Sequence, residues 1–548
     1  NPFIIKIFFL VSALLLSINI KKYFESFFLT KKNYVLNLII LLFLLPTLIY
    51  GEQFYIFRGN YWDSSNYLSS AILFKDLQYS EIISGSFPQI FLEFQSIEYI
   101  TKARPMANYL LSIFLNDYFS IFFTFYSFKL LITLLIFLSL ITFLENNFDL
   151  KNLTIIITSF VFVISFWNIY IFEIDALSHL TSIPILILTI HFLFKIFNDL
   201  NNKENYFIIV LLTSALFIVY PEISIIVLLV LFILLLDNIK FINKKVLKLF
   251  FFSFLVFILL TATSYETNYK HLISSQLGNS IRSNDWWGYF GSFIFGKNNL
   301  VLDNEFVSSL KLILDNNLSN KDIIKFIHTQ HFENDLKFIY LNIIPSISGL
   351  YFLTIGKLAN NYLFYFQVVF FIFLLVYLLK IAFKNIIYLL SNPFSKYKFL
   401  YFVIINIFFF LFFLKHNSYW SIIKFYTYFF PFLFLFFALD FKKIEINYLY
   451  IFLVSIFVFY KYSVFNNGIG RYDSFPSIIN PIIKKEIQWE DISYKKLHKC
   501  RNISIEENNY IIKAYLNLKL IDLGINKNKN QNCKIYLENK KFEIVYEQ

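Results

Sequence analysis

Residues 119–144 read FSIFFTFYSFKLLITLLIFLSLITFL, and this stretch decides the fold. It exceeds the ~20 apolar residues that carry a helix across a bilayer core. Lys129 is its one charge. In hydrocarbon every backbone group must be bonded within the segment, so a run of this kind is a helix. The pattern recurs at Phe3–Ile20, Val35–Tyr50, Leu153–Phe172, Ala176–Phe197, Tyr206–Tyr220 and Ile223–Leu236. It returns at Leu249–Thr263, Tyr362–Leu379, Phe399–Leu414, Tyr419–Leu439 and Tyr448–Tyr460. The sequence therefore predicts an all-α polytopic membrane protein with about 12 transmembrane helices.

Composition agrees. The chain is 58% hydrophobic and 15% charged, where a soluble domain carries about 25% charged residues. The 22% aromatic content comes with abundant Ile, Asn and Lys, as an AT-rich genome produces, and is not read as a binding signal. The net charge of +12 reads as lysines held on the cytoplasmic side. No basic stripe with a nucleic-acid-binding motif is present, so no nucleic-acid partner is expected. Phe3–Ile20 lacks a following small-residue cleavage site and reads as a membrane helix, not a signal peptide.

Lysines set the orientation. Lys21, Lys22, Lys31 and Lys32 separate the first two spans, and Lys240, Lys244, Lys245 and Lys248 precede the eighth. Lys380, Lys384, Lys396 and Lys398 separate the ninth and tenth, and Lys442 and Lys443 precede the last. Placing all of these in the cytoplasm satisfies the alternation of spans. The turns Glu173-Ile174-Asp175 and Pro221-Glu222 then face outward, as does Lys415-His416. Tyr220-Pro221-Glu222 breaks an apolar run into two short arms, read as a hairpin, because one kinked span would invert every later loop.

Residues 1–460 form the expected transmembrane domain, with long outer loops at 51–118 and 264–361. Residues 461–548 form a small exported soluble domain of α/β type. That tail holds both cysteines, Cys500 and Cys533, which suits a disulfide in an oxidising compartment.

The first outer loop contains Tyr61-Trp62-Asp63-Ser64-Ser65-Asn66-Tyr67-Leu68-Ser69-Ser70-Ala71. Asn66–Phe74 reads as a short amphipathic helix with Tyr67, Ala71 and Phe74 on one face and Asp63 or Ser64 as its N-cap. A helix N-terminus favours an ionised carboxylate. Such a group takes a proton from a hydroxyl or holds a cation; the same residue also serves as a plain cap.

The stretch from Trp62 to Lys75, followed by Arg104-Pro105-Met106-Ala107-Asn108-Tyr109-Leu110-Leu111, resembles the first outer loop of the GT-C superfamily. These polytopic glycosyltransferases use polyprenyl-phosphate-linked sugars. Their pattern is an acid, a Tyr one helical turn on, and a small residue, on a helix lying along the membrane. Asp63, Tyr67 and Ala71 match it. The resemblance implies sugar transfer on the outer face of the bacterial inner membrane. Asp63 stands at the catalytic acid/base position, and the acceptor is a cell-envelope glycan, a lipid or a protein. Many members carry two adjacent acids here, whereas Asp63 is followed by Ser64. Asp285-Trp286-Trp287-Gly288-Tyr289 is similar to the oligosaccharyltransferase motif, but its acid lies on the other side and no role is carried over.

Glu173, Asp175 and Glu222 are candidates for a second acid or, with Asp63, for a site holding a hard divalent cation, Mg or Mn. Acids also favour exposed turns and helix starts, which explains the same residues without a site. Arg58, Lys102, Arg104, Arg282, Lys415, His416 and Lys424 are candidates for neutralising a lipid-linked phosphate. Arg58 and Arg104 flank Asp63 and are preferred. Lys129 sits deep in the third span and requires a partner inside the bundle that the sequence does not name. His328 and His331 read as one turn of a surface helix. No P-loop, GxGxxG, GxSxG or HExxH motif is present. Two other readings fit the layout: an O-antigen-type polymerase or ligase working through loop arginines, and a non-catalytic lipid or polysaccharide transporter.

Overall fold

The computed structural model describes residues 31–50, 61–77, 105–115, 120–148, 150–173, 176–223, 243–270, 376–388, 419–441, 445–463, 500–505, 531–538 and 541–547, with isolated positions between them. These residues are mostly helical. In chain order they form α1 (Lys31–Tyr50), α2 (Tyr61–Asp76), α3 (Pro105–Phe114), α4 (Ile121–Asn147), α5 (Asn152–Val163) and α6 (Phe166–Glu173). There follow α7 (Leu177–Asn198), α8 (Lys203–Val219), α9 (Lys244–Lys270), α10 (Tyr419–Ala438) and α11 (Tyr448–Ser463). A further helical segment covers 376–388.

Among the described residues three helices are long and apolar enough to cross a membrane: Ile121–Asn147, Leu177–Asn198 and Lys244–Ala262. The apolar window is 67% and 72% buried in the first two but 11% in the third. The first two are thus interior helices of the bundle, while Lys244–Ala262 presents Phe251, Phe252, Phe254 and Leu259 outward. Shorter apolar helices cover Tyr34–Phe43, Asn152–Val163 and Phe429–Ala438. The spans expected at Phe3–Ile20 and Phe399–Leu414 lie outside the described residues.

Side chains supply what helix ends lack. Ser120 accepts from the Phe123 amide at 3.3 Å and starts α4. Asn202 accepts from Glu204 and Asn205 to start α8, at 3.0 and 3.4 Å. Asn243 accepts from Lys245 and Val246 to start α9, both at 3.0 Å. Each leaves fewer orphan amides in the first turn.

The expected single span Leu153–Phe172 is in fact two helices. α5 stops at Val163 and α6 begins at Phe166, with Ile164 and Ser165 between. The freed carbonyl of Phe162 accepts from the Ser165 amide at 3.1 Å, from the Ser165 hydroxyl, and from Asn168 Nδ2 at 2.8 Å. A break at membrane depth persists where neighbouring side chains bond the released groups in this way. The run through Tyr220 breaks as read: α8 ends at Val219 and Pro221–Ile223 forms a 3₁₀ turn.

α7 is the axis of the bundle. It packs on α2, α3, α4, α6, α8 and α10. α1 and α5 close on α4, and α9 lies on α8. After α10 the ladder Leu439↔Ile446 and Asp440↔Glu445 joins two short strands, β1 (Leu439–Asp440) and β2 (Glu445–Ile446). Lys384 pairs with Asp440. Asn385 Nδ2 donates to the carbonyls of Phe436 and Leu439 at 2.7 and 2.9 Å, and its Oδ1 accepts from the Phe441 amide at 3.4 Å. Lys384 and Asn385 thus fasten the 376–388 segment to the end of α10 and to β1.

Near the C-terminus, β3 (Cys500–Ile505) runs parallel to β4 (Gln531–Glu538), and β4 pairs antiparallel with β5 (Lys541–Glu547). A parallel pair needs a crossover connection of a dozen residues or more, and residues 506–530 are long enough to make it.

Asn385→Ala removes three buried hydrogen bonds. Stability is expected to fall by about 2–3 kcal/mol, read as a lower unfolding midpoint in detergent, while Ser391→Ala on the exposed side leaves the midpoint unchanged.

Candidate functional site

Helix α2 carries Asp63, and its packing departs from the amphipathic expectation. Every residue from Asn66 to Phe74 is buried. Tyr67 is 2% exposed, and Ser69, Ser70 and Ala71 are fully enclosed. The helix is inserted between α3 and α7 and does not lie on a surface. Small residues make this possible, because Ser and Ala let helix backbones approach closely. Ser69 meets its own need locally by donating to the Asn66 carbonyl at 3.1 Å. α3 answers in kind: Ala107 and Asn108 are fully buried, and Ser112 donates to the Tyr109 carbonyl at 2.7 Å. Phe74 meets Tyr109 edge to face at 5.9 Å. Burial raises the Tyr109 phenol above its usual range.

The helix starts at Tyr61, so Asp63 and Ser64 stand within its first turn and neither is the N-cap. That position still favours a negative charge, since the first-turn amides carry the positive end of the dipole.

Two further acids lie on backbone that converges on α7. Glu173 is the last residue of α6, and the Ala176 amide returns to the Ile171 carbonyl at 3.3 Å. Glu222 lies in the 3₁₀ turn after α8. The two turns are tied together by His179 of α7, whose ring stacks on Tyr220 at 5.4 Å and 9°. Both rings are buried. Ser178 and Ser182 on α7 are fully enclosed, and Ser214 on α8 is buried. Among the described residues the buried oxygens of Tyr109, Ser178 and Ser214 have no hydrogen-bond partner. They sit on α3, α7 and α8, three helices that pack on one another.

Arg58, Lys102, Arg104, Asp175, Arg282, Lys415 and His416 lie outside the described residues, as do His328 and His331. Lys424 is on α10. Among the described residues no group of three or more His, Cys, Asp or Glu is placed to hold a metal ion. Cys500 is opposite Gln531 and Cys533 is opposite Ile503, so the cysteines occupy adjacent strands two ladder positions apart on β4. His179 and the orphan hydroxyls escape a sequence reading. The available signal is that Ser178-His179 follows directly on the acidic turn, at the mouth of an apolar span.

No model of a known protein family and no curated protein matches this chain.

Ala71→Leu adds three carbons where α2 meets its neighbours. It is expected to cost about 1–3 kcal/mol, seen as a lowered thermal midpoint; a surface helix would show no change. Alkylation of the denatured, unreduced protein is expected to leave Cys500 and Cys533 unmodified by mass.

Proposed function

We propose that this chain is a membrane glycosyltransferase of the GT-C kind, with about twelve spans and an exported C-terminal domain. It moves a sugar from a polyprenyl-phosphate donor to a cell-envelope glycan, lipid or protein on the outer face of the bacterial inner membrane. The observation that carries this reading is the burial of α2 directly after Asp63. A loop that served only to join spans would have no reason to insert Asn66, Ser69 and Ser70 into the helix bundle. The orphan hydroxyls of Tyr109, Ser178 and Ser214 support it further, because buried polar groups without partners mark places where water or a polar ligand belongs.

In this mechanism Asp63 takes the proton from the acceptor hydroxyl as its oxygen attacks the anomeric carbon. The bond from that carbon to the donor phosphate breaks with inversion, and the polyprenyl phosphate leaves with the electron pair. Arg58 and Arg104, aided by Lys102, Arg282, Lys415 and His416, gather the departing negative charge. Glu173, Asp175 and Glu222 supply a second acid or the oxygen ligands of a divalent cation.

The test is transfer of labelled sugar from polyprenyl-phosphate monosaccharides by the purified full-length protein in nanodiscs. Asp63→Asn keeps the shape and removes the base, so transfer is expected to fall by about 10²–10⁴-fold. Retention of the parent rate would defeat the assignment.

A further inference from the structure

Lys129 is 2% exposed, about 12 Å in from the outer end of α4 at 1.5 Å per residue. An ammonium at that depth is costly unless it is held. Its side chain runs back toward the start of α4, over the residues three and four positions earlier, as helix geometry directs. There Nζ lies 5.1 Å from the Phe125 ring, 5.4 Å from the Tyr126 ring and 4.4 Å from the Phe172 ring. It donates to the Phe172 carbonyl at 3.0 Å.

That carbonyl belongs to the last turn of α6, the negative end of its dipole, where a cation is favoured. The carbonyl before it, on Ile171, is the one that takes the Ala176 amide. Two consecutive carbonyls on the helical side of the acidic turn are thus bound, one by the far side of the turn and one by α4. α1 completes the clamp. Tyr126 donates to the Phe43 carbonyl, and the Phe172 ring packs on Phe43 at 4.8 Å and on Tyr126 at 5.3 Å.

We infer that Lys129 is a positioning residue for the end of α6: its ammonium, held by three rings, fixes the Phe172 carbonyl and so the backbone position of Glu173, where the acidic turn begins. Cation–π contacts and a charge-assisted hydrogen bond act together here, and the neutral stem alone would not supply them. The role assigned to the turn rests on the glycosyltransferase reading; the clamp does not.

The experiment therefore has two readouts. The first uses no substrate. Ile174→Cys is introduced into the full-length protein in nanodiscs, and its rate of reaction with a maleimide is measured over the signal of the parent protein. Asn146→Cys, on the exposed inner end of α4, is the control. Lys129→Met is expected to raise the rate at position 174 several-fold and leave position 146 unchanged. Lys129→Arg, which stacks on rings and donates equally well, restores the parent rate. Phe172→Leu, which trims the cage without touching the charge, gives a smaller rise and serves if Lys129→Met does not fold. Unchanged rates at 174 in the variants that fold, or equal rises at 174 and 146, would overturn the inference. The second readout is sugar transfer, expected to fall at least tenfold in Lys129→Met and to recover in Lys129→Arg. If the parent shows no transfer while labelling behaves as stated, the clamp stands and the enzymatic reading fails.

Discussion

Hydrocarbon gives a backbone carbonyl nothing to bond, so every place where a helix of this bundle stops has to bring its own donor. That requirement explains several of the polar residues inside the molecule. Ser165 and Asn168 serve the Phe162 carbonyl at the break between α5 and α6. Lys129 serves Phe172 and Tyr126 serves Phe43. Asn385 serves Phe436 and Leu439 where α10 gives way to β1. Each donor comes from a residue that a hydropathy reading counts as an interruption.

The candidate site grows from the same constraint. α7 packs on α2, α3, α6 and α8. Near its start Ser178 and His179 are buried, and the His179 ring meets Tyr220 at the end of α8. The stack of His179 on Tyr220 holds one turn, and the carbonyl clamp of Lys129 holds the other. Asp63, Glu173 and Glu222, far apart in sequence, are thereby carried on elements fastened to one axis.

Much of this was legible in advance. The spans read at 119–144, 176–197, 419–439 and 448–460 return as helices Ile121–Asn147, Leu177–Asn198, Tyr419–Ala438 and Tyr448–Ser463. Long apolar runs leave hydrocarbon no other option. The stop at Tyr220-Pro221-Glu222 was visible because proline announces it. The break at Ile164-Ser165 was not, since neither glycine nor proline marks it; it depends on Asn168 reaching back six residues. The helix read at 362–379 is described at 376–388, running on through Lys380 and Lys384, because Asn385 and Lys384 anchor it to the β1 region. α2 was read as half-exposed because Ser and Asn count as outward-facing by polarity. Between closely packed helices their small size counts for more. The bond from Lys129 to the Phe172 carbonyl was unreadable because it goes to a main-chain oxygen, which no side-chain pattern encodes.

The short rods on either side of Ser165 have a consequence for biogenesis. α5 and α6 measure about 18 Å and about 12 Å, too short for either to cross a bilayer core of about 30 Å alone. Neither can insert alone, so the two must enter the membrane as one segment. The ring that Phe162 stacks against belongs to Phe430, at 5.3 Å, and α10 is synthesised more than two hundred residues later. α10 thus arrives late to a kink that Ser165 and Asn168 already hold, and adds a ring to its far side.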